Sequence, residues 1–131
     1  MTLTSCGIRP TPVLTGGEGP TVSSHSLTIY LVNAEGDGLA RRSRDYTGLV
    51  DGTTALNLLL AGPTEDEKKQ GLRTEVPQTT AKALPVLNLV LMPDEVYQQA
   101  SKWTLFQVYC TAQANKVELS PTLALPSDFC P

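Results

Sequence analysis

The sequence predicts an α+β domain in which a small mixed sheet packs against two to three helices. Two kinds of apolar spacing predict it. Leu27, Ile29 and Leu31 alternate with Thr28, Tyr30 and Val32 at the two-residue period of a strand. Val96, Ala100, Trp103, Phe106 and Cys110 instead recur at helical spacing. A chain of 131 residues and 14.0 kDa has room for one core. The domain is therefore placed at residues 26–131, behind a polar leader at residues 1–25.

That leader opens with Leu3-Thr4-Ser5-Cys6-Gly7, which has the form of a bacterial lipobox. Cys6 is then the lipid-bearing residue, and Met1 is read as a start that trims off the signal segment. The other reading is a free cysteine in a loose tail. From Ile8 to Ser24, Pro10, Pro12, Pro20, Gly16, Gly17 and Gly19 stand among Ser and Thr, a composition suited to a tether and too polar for a core. His25 follows alone, without a second His or nearby Cys to complete a metal or catalytic set.

The first strand is expected over Ser26–Ala34, a turn over Asn33–Gly38 and a returning strand over Leu39–Tyr46. Glu35-Gly36-Asp37-Gly38 lacks the acidic spacing of a calcium loop, so a hairpin turn is preferred. Arg41, Arg42 and Arg44 cluster on the returning strand. They read as a solvated edge whose charges discourage edge-to-edge pairing, with a polyanion site as the alternative.

Asp51 or Thr53 is expected to cap a helix that runs to about Ala61. Gly62 and Pro63 stop it, because Gly tolerates the left-handed position and Pro cannot continue the hydrogen-bond ladder. Thr64 and Glu67 form a capping box for a short helix that Gly71 ends. Glu65 and Asp66 suit its positive end, Lys68 and Lys69 its negative end. Leu72–Val76 is expected to be a strand closed by Pro77.

The run Leu58–Pro77 resembles the signature of the GerMN (Germane) domain of bacterial envelope proteins. That signature joins a Leu-Leu-x-Gly-Pro-Thr helix end, here with Gly62, Pro63 and Thr64, to an acidic turn containing Glu67. A Gly-Leu-Arg-Thr-x-Val-Pro strand follows, matched by Gly71, Leu72, Arg73, Thr74 and Pro77. Leu27–Val32 with Leu39, Arg41 and Arg42 is similar to the family's opening strands, so the likeness spans about Ser26 to Asn115. It implies a fold like the ring-building modules of envelope assemblies, a protein partner in the cell envelope and no catalytic residues. Family members include sporulation and germination proteins and actinobacterial lipoproteins.

Beyond Pro77, Ala83–Met92 is apolar but contains Pro85, which favours an edge strand or a bulge. A long last helix is expected from Asp94 to about Ala114, with Asp94 as its N-cap. Leu105, Tyr109 and Ala112 add a second apolar strip, and Trp103 with Phe106 either joins the core or lines a ligand groove. Val117–Leu119 is a short strand candidate before the tail that holds Pro121, Pro126 and Pro131.

Three cysteines leave one over if they only form disulfides. With Cys6 lipidated, Cys110 and Cys130 are expected to pair in an oxidising compartment. Two buried thiols in a cytosolic protein are the alternative.

A net charge of -3 and a pI near 5.0 argue against nucleic-acid binding. No apolar run approaches the roughly 20 residues of a membrane-spanning helix. The sequence contains no Ser-x-x-Lys, no Gly-x-Ser-x-Gly, no phosphate-binding glycine loop and no spaced metal set. The reading is a lipid-anchored, non-catalytic interaction module outside the cytoplasmic membrane, without a metal or cofactor. The alternative is a carrier of a small or cell-wall ligand held between Trp103's helix and the sheet.

Overall fold

The computed structural model describes residues 24–87, 89–98, 100–120, 123, 125, 128, 130 and 131. Cys6, nearly all of the predicted tether, Pro121 and Pro126 lie outside the described residues. The architecture is α+β: strand β1 (Ser24–Val32), β2 (Leu39–Thr47), helices α1 (Thr54–Ala61) and α2 (Glu65–Lys69), strands β3 (Leu84–Val86) and β4 (Leu89–Leu91), helices α3 (Asp94–Gln98) and α4 (Lys102–Ala114), and strand β5 (Glu118–Ser120).

The strands form two sheets rather than the single mixed sheet expected. β1 and β2 make an antiparallel hairpin in which Leu27 faces Arg44, Ile29 faces Arg42 and Leu31 faces Ala40. β3, β4 and β5 make a second sheet, antiparallel then parallel. Ile29, Leu31, Leu56, Leu59, Val96 and Val108 are buried together in one core. β1 starts at Ser24, so His25 belongs to the strand, opposite Tyr46, and not to the tether.

The β1–β2 turn closes through Asn33, whose N–H donates to Gly38 O at 3.0 Å and whose side chain bonds both the N–H and the carboxylate of Asp37. At α1 the brace is Asp51. Its Oδ1 accepts from the Thr53 N–H at 2.7 Å and from the Thr53 hydroxyl at 2.6 Å, while Thr53 as N-cap makes no side-chain cap bond of its own. The Thr53 bonds hold the Asp51 carboxyl below its usual value. Gly62, with φ +88°, ends the helix.

The Thr64–Glu67 capping box forms as the spacing predicts: Glu67 N–H donates to Thr64 Oγ1 at 3.2 Å, and Thr64 N–H to Glu67 Oε1 at 3.0 Å. Gly71, at φ +86°, needs both its backbone freedom and its missing Cβ, which would come within 2.9 Å of the Ala34 Cβ.

Several expected elements differ. Leu72–Val76 is not a strand: only Arg73 pairs, exchanging bonds of 2.8 and 3.1 Å with Val32. Side chains take the backbone groups beyond it. Glu75 N–H donates to Gln107 Oε1 and Val76 N–H to Thr74 Oγ1, while Glu75 O accepts from Thr104 Oγ1.

Ala83–Met92 is a hairpin of two short strands, with Leu87 at φ +56°, and Pro85 does sit on an edge strand. The long last helix is two helices, α3 and α4. Ser101 restarts the chain as the N-cap of α4 in a capping box with Thr104, which the apolar periodicity of the segment concealed. The final strand is shifted by one residue to Glu118–Ser120.

Candidate functional site

The β1–β2 hairpin has two edges, and their treatment is opposite. Along the second half of β1, the outward backbone groups of Thr28, Tyr30 and Val32 are each bonded. Asn115 brackets Thr28, accepting from its N–H at 3.4 Å and donating to its carbonyl at 2.7 Å. Thr111 Oγ1 accepts from Tyr30 N–H at 3.1 Å, and Gln107 Nε2 donates to Tyr30 O at 3.0 Å. Val32 completes the row with Arg73.

Gln107, Thr111 and Asn115 recur every four residues from α4 onward, so their side chains lie in one row along the strand and take the place of a neighbouring strand. The buried face of α4 is therefore half polar, with Thr104, Gln107 and Thr111 beside Val108, Cys110 and Ala112. In the predicted stripe, Val96 and Cys110 are buried, whereas Trp103 and Phe106 are half-buried.

Because even-numbered residues of β1 point outward, odd-numbered ones bond to β2. In this register Ala40, Arg42, Arg44 and Tyr46 turn their backbone inward. Leu39, Arg41, Ser43, Asp45 and Thr47 turn theirs to the open side. Among the described residues, no hydrogen bond takes the outward N–H or C=O of Arg41, Ser43 or Asp45. β2 is thus an open edge on a nine-residue strand.

The arginine cluster divides along the same alternation. Arg42 and Arg44 are half-buried and hold Glu67, which corrects the reading of all three as a solvated edge. Arg44 is bidentate, with Nη1 to Oε2 at 2.5 Å and Nη2 to Oε1 at 2.6 Å, and Arg42 Nε reaches Oε2 at 3.3 Å. Burial alone would raise the Glu67 carboxyl. The Arg44 bonds and charge, the Thr64 N–H and Arg42 outweigh it and bring the pKa down to about 2.

Arg41 is exposed. Its guanidinium lies 5.9 Å from the Tyr30 ring centroid and donates to the Tyr30 hydroxyl at 3.0 Å, which in turn donates to Pro131 O at 2.6 Å. Ser43, Asp45 and Thr47 share Arg41's face and are exposed too.

In the second sheet the β3 edge is treated differently. Pro85 on β3 cannot donate to Val90, so the β3–β4 bonds run through Leu84 and Val86, and Pro85 faces outward where a donor is missing. Leu84, Val86, Leu87 and Leu91 are exposed there, but the proline blunts strand pairing.

A cavity of about 430 Å³ lies between α4 and β5, lined by Tyr109, Gln113, Lys116, Val117, Glu118 and Leu119 among others. That is another part of α4 from Trp103, whose ring packs at 6.0 Å from Phe106 and under the Lys102 ammonium at 4.9 Å.

The remaining motif residues are structural. Leu72 packs on the core, Thr74 Oγ1 accepts from Gln107, and Pro63 and Pro77 are half-buried. Cys110 and Cys130 are bonded to each other. No group of His, Cys, Asp and Glu among the described residues is placed to hold a metal ion. Sequence reasoning missed the Gln107, Thr111, Asn115 row, for which the four-residue spacing was the available signal.

Comparison with protein-family models finds no match, and comparisons with curated proteins and with solved structures find none either.

Proposed function

We propose that this chain is a non-catalytic interaction module of the cell envelope, held at the outer face of the cytoplasmic membrane by a lipid on Cys6. It binds a protein partner by strand addition along β2. The observation that carries this reading is the contrast between edges: β1 is closed by α4 and Arg73 over Thr28–Val32, β3 is blunted by Pro85, and β2 presents backbone groups that are unbonded among the described residues. Strand addition supplies affinity through main-chain bonds, and the exposed row of Arg41, Ser43, Asp45 and Thr47 supplies selectivity.

The GerMN-like motif and the lipobox support the envelope placement, and a Cys110–Cys130 disulfide suits an oxidising compartment. A process in sporulation, germination or envelope assembly accords with the resemblance. Against catalysis stands the state of Glu67, whose oxygens are occupied by Arg42, Arg44 and Thr64 and whose low pKa makes it a poor proton acceptor.

The cavity between Tyr109 and Glu118 favours a second reading, a carrier of a small or cell-wall ligand.

A photoreactive residue placed at Ser43, and a matching one at Glu118, separates the readings in envelope preparations. A protein adduct from Ser43 that is lost by about tenfold or more in an Asp45→Pro background supports strand addition, since that N–H points outward and its removal breaks no internal bond. Adducts with wall fragments at Glu118 and none at Ser43 would overturn it.

A further inference from the structure

The partner that this edge fits best is a second copy of the same chain. The argument rests on the strand-addition reading above and adds the charge pattern of β2.

A two-fold axis pairs each residue of an antiparallel seam with the residue equally far from the centre on the other side. An axis through Ser43 sets Ser43 against Ser43, Arg41 against Asp45 and Leu39 against Thr47 of the second copy. All of these turn their backbone outward, so every one falls on a hydrogen-bonded pair of the new ladder. The result is a continuous four-stranded sheet, its two far edges covered along Thr28–Val32 by the α4 side-chain rows and Arg73. A closed dimer of this kind leaves no β2 edge to extend.

The charges choose the register. Arg41 and Asp45 are exposed, and neither enters an ion pair among the described residues. Centred on Ser43, each Arg41, whose guanidinium also donates to the Tyr30 hydroxyl of its own hairpin, stands opposite the Asp45 carboxylate of the other copy, twice by symmetry. Moving the axis to Arg42 or Arg44 loses both pairs and sets that arginine against its own copy, which is unfavourable.

On the opposite face the chosen register places Arg42 near Arg44 of the second copy. That cost is reduced because each arginine already holds Glu67. Ala40 then faces Tyr46. We infer that the chain forms a two-fold dimer through antiparallel β2–β2 pairing centred on Ser43, with Arg41 and Asp45 as its register-setting pair.

The test is sedimentation with multi-angle light scattering on the full chain carrying Cys6→Ser, which removes thiol cross-linking. The expected mass is twice the 14.0 kDa of the chain. Arg41→Asp sets carboxylates against each other, Asp45→Arg sets guanidinium groups against each other, and each should weaken association by about tenfold or more. Mixing the two variants, or combining both changes in one chain, restores opposite charges and should restore the dimer. Circular dichroism identifies any variant that does not fold. Ser43→Pro, which removes the central outward donor, then serves as the replacement test and should give a monomer.

A wild-type monomer across the micromolar range overturns the inference, as does a dimer indifferent to all these changes. If the wild type is monomeric while the Ser43 probe still captures an envelope protein, the second copy is excluded and the strand-addition reading stands. If neither occurs, both fall.

Discussion

Glu67 is where one residue connects most of the hairpin to the rest of the chain. Its carboxylate caps α2 through the Thr64 N–H and receives Arg42 and Arg44 from β2 while only 3% exposed. Glu67→Gln keeps an acceptor for Thr64 but leaves Arg44 without its counter-charge, so a loss of about 2 to 3 kcal/mol at neutral pH is expected. The folded pKa of about 2 lies below the ordinary 4.5. Protonation therefore favours the unfolded chain. The stabilisation is complete above about pH 4.5 and disappears as pH falls toward 2, a change of about 3 kcal/mol. Urea unfolding of both proteins between pH 2 and 7 checks this, and parallel pH profiles would refute it. Tyr97 is the reverse case. Its hydroxyl is buried with no hydrogen-bond partner among the described residues, and burial raises its pKa. Tyr97→Phe removes an unsatisfied group at almost constant volume and should be neutral or stabilise by about 1 kcal/mol. A loss above 1 kcal/mol in the same titration would reveal a partner for the hydroxyl.

At the scale of elements, α4 does the work usually given to a strand. Gln107 is fully buried and bonds Tyr30 O, Thr74 Oγ1 and the Glu75 N–H, so it joins β1 to the segment after α2. Gln107→Leu fits the volume but leaves those backbone groups dry and unpaired, with an expected cost of about 3 kcal/mol. Hydrogen exchange at the Glu75 amide should rise by about a hundredfold, and unchanged protection there would refute the role. This arrangement also explains what the sequence disclosed. The α1 stop at Gly62-Pro63, the Thr64–Glu67 box and the Asn33–Gly38 turn rest on neighbours in the chain, and local residue chemistry was enough to place them. The arginine–Glu67 cluster and the division into two sheets depend on partners more than twenty positions away, which no local pattern encodes. The helix break at Ser101 had a local signal, but Ser-x-x-Thr is a weaker capping pattern than Thr-x-x-Glu and was outweighed by continuous apolar spacing. The open β2 edge was legible only as a basic strand; its openness follows from knowing what closes β1.

For the whole molecule, the closing constraint is the Cys110–Cys130 bond, whose ends are 20 positions apart. Cys110 is fully buried on α4, and the bond brings Pro131 to β1, where its carbonyl accepts from the Tyr30 hydroxyl next to Arg41. One covalent link therefore ties the end of the chain to the helix that closes β1 and to the strand beside the open edge. Cross-linking a loop of this length removes unfolded-state freedom equivalent to about 3 kcal/mol. Cys130→Ser leaves the buried Cys110 side of the core intact, so the loss should appear as that constraint alone: a melting temperature lower by roughly 10 °C. The non-reduced protein should weigh about two mass units less than the reduced one, one hydrogen for each sulfur joined. The consequence for the β2 edge is small, because the β1–β2 ladder and the Glu67 cluster do not pass through the disulfide and only the Pro131–Tyr30–Arg41 bonds connect the two. Cys130→Ser should keep β2-mediated association within about threefold of the parent below its own melting temperature. If association fell in parallel with the lost bond, the C-terminal segment would be part of the interface or would position Arg41 through Tyr30.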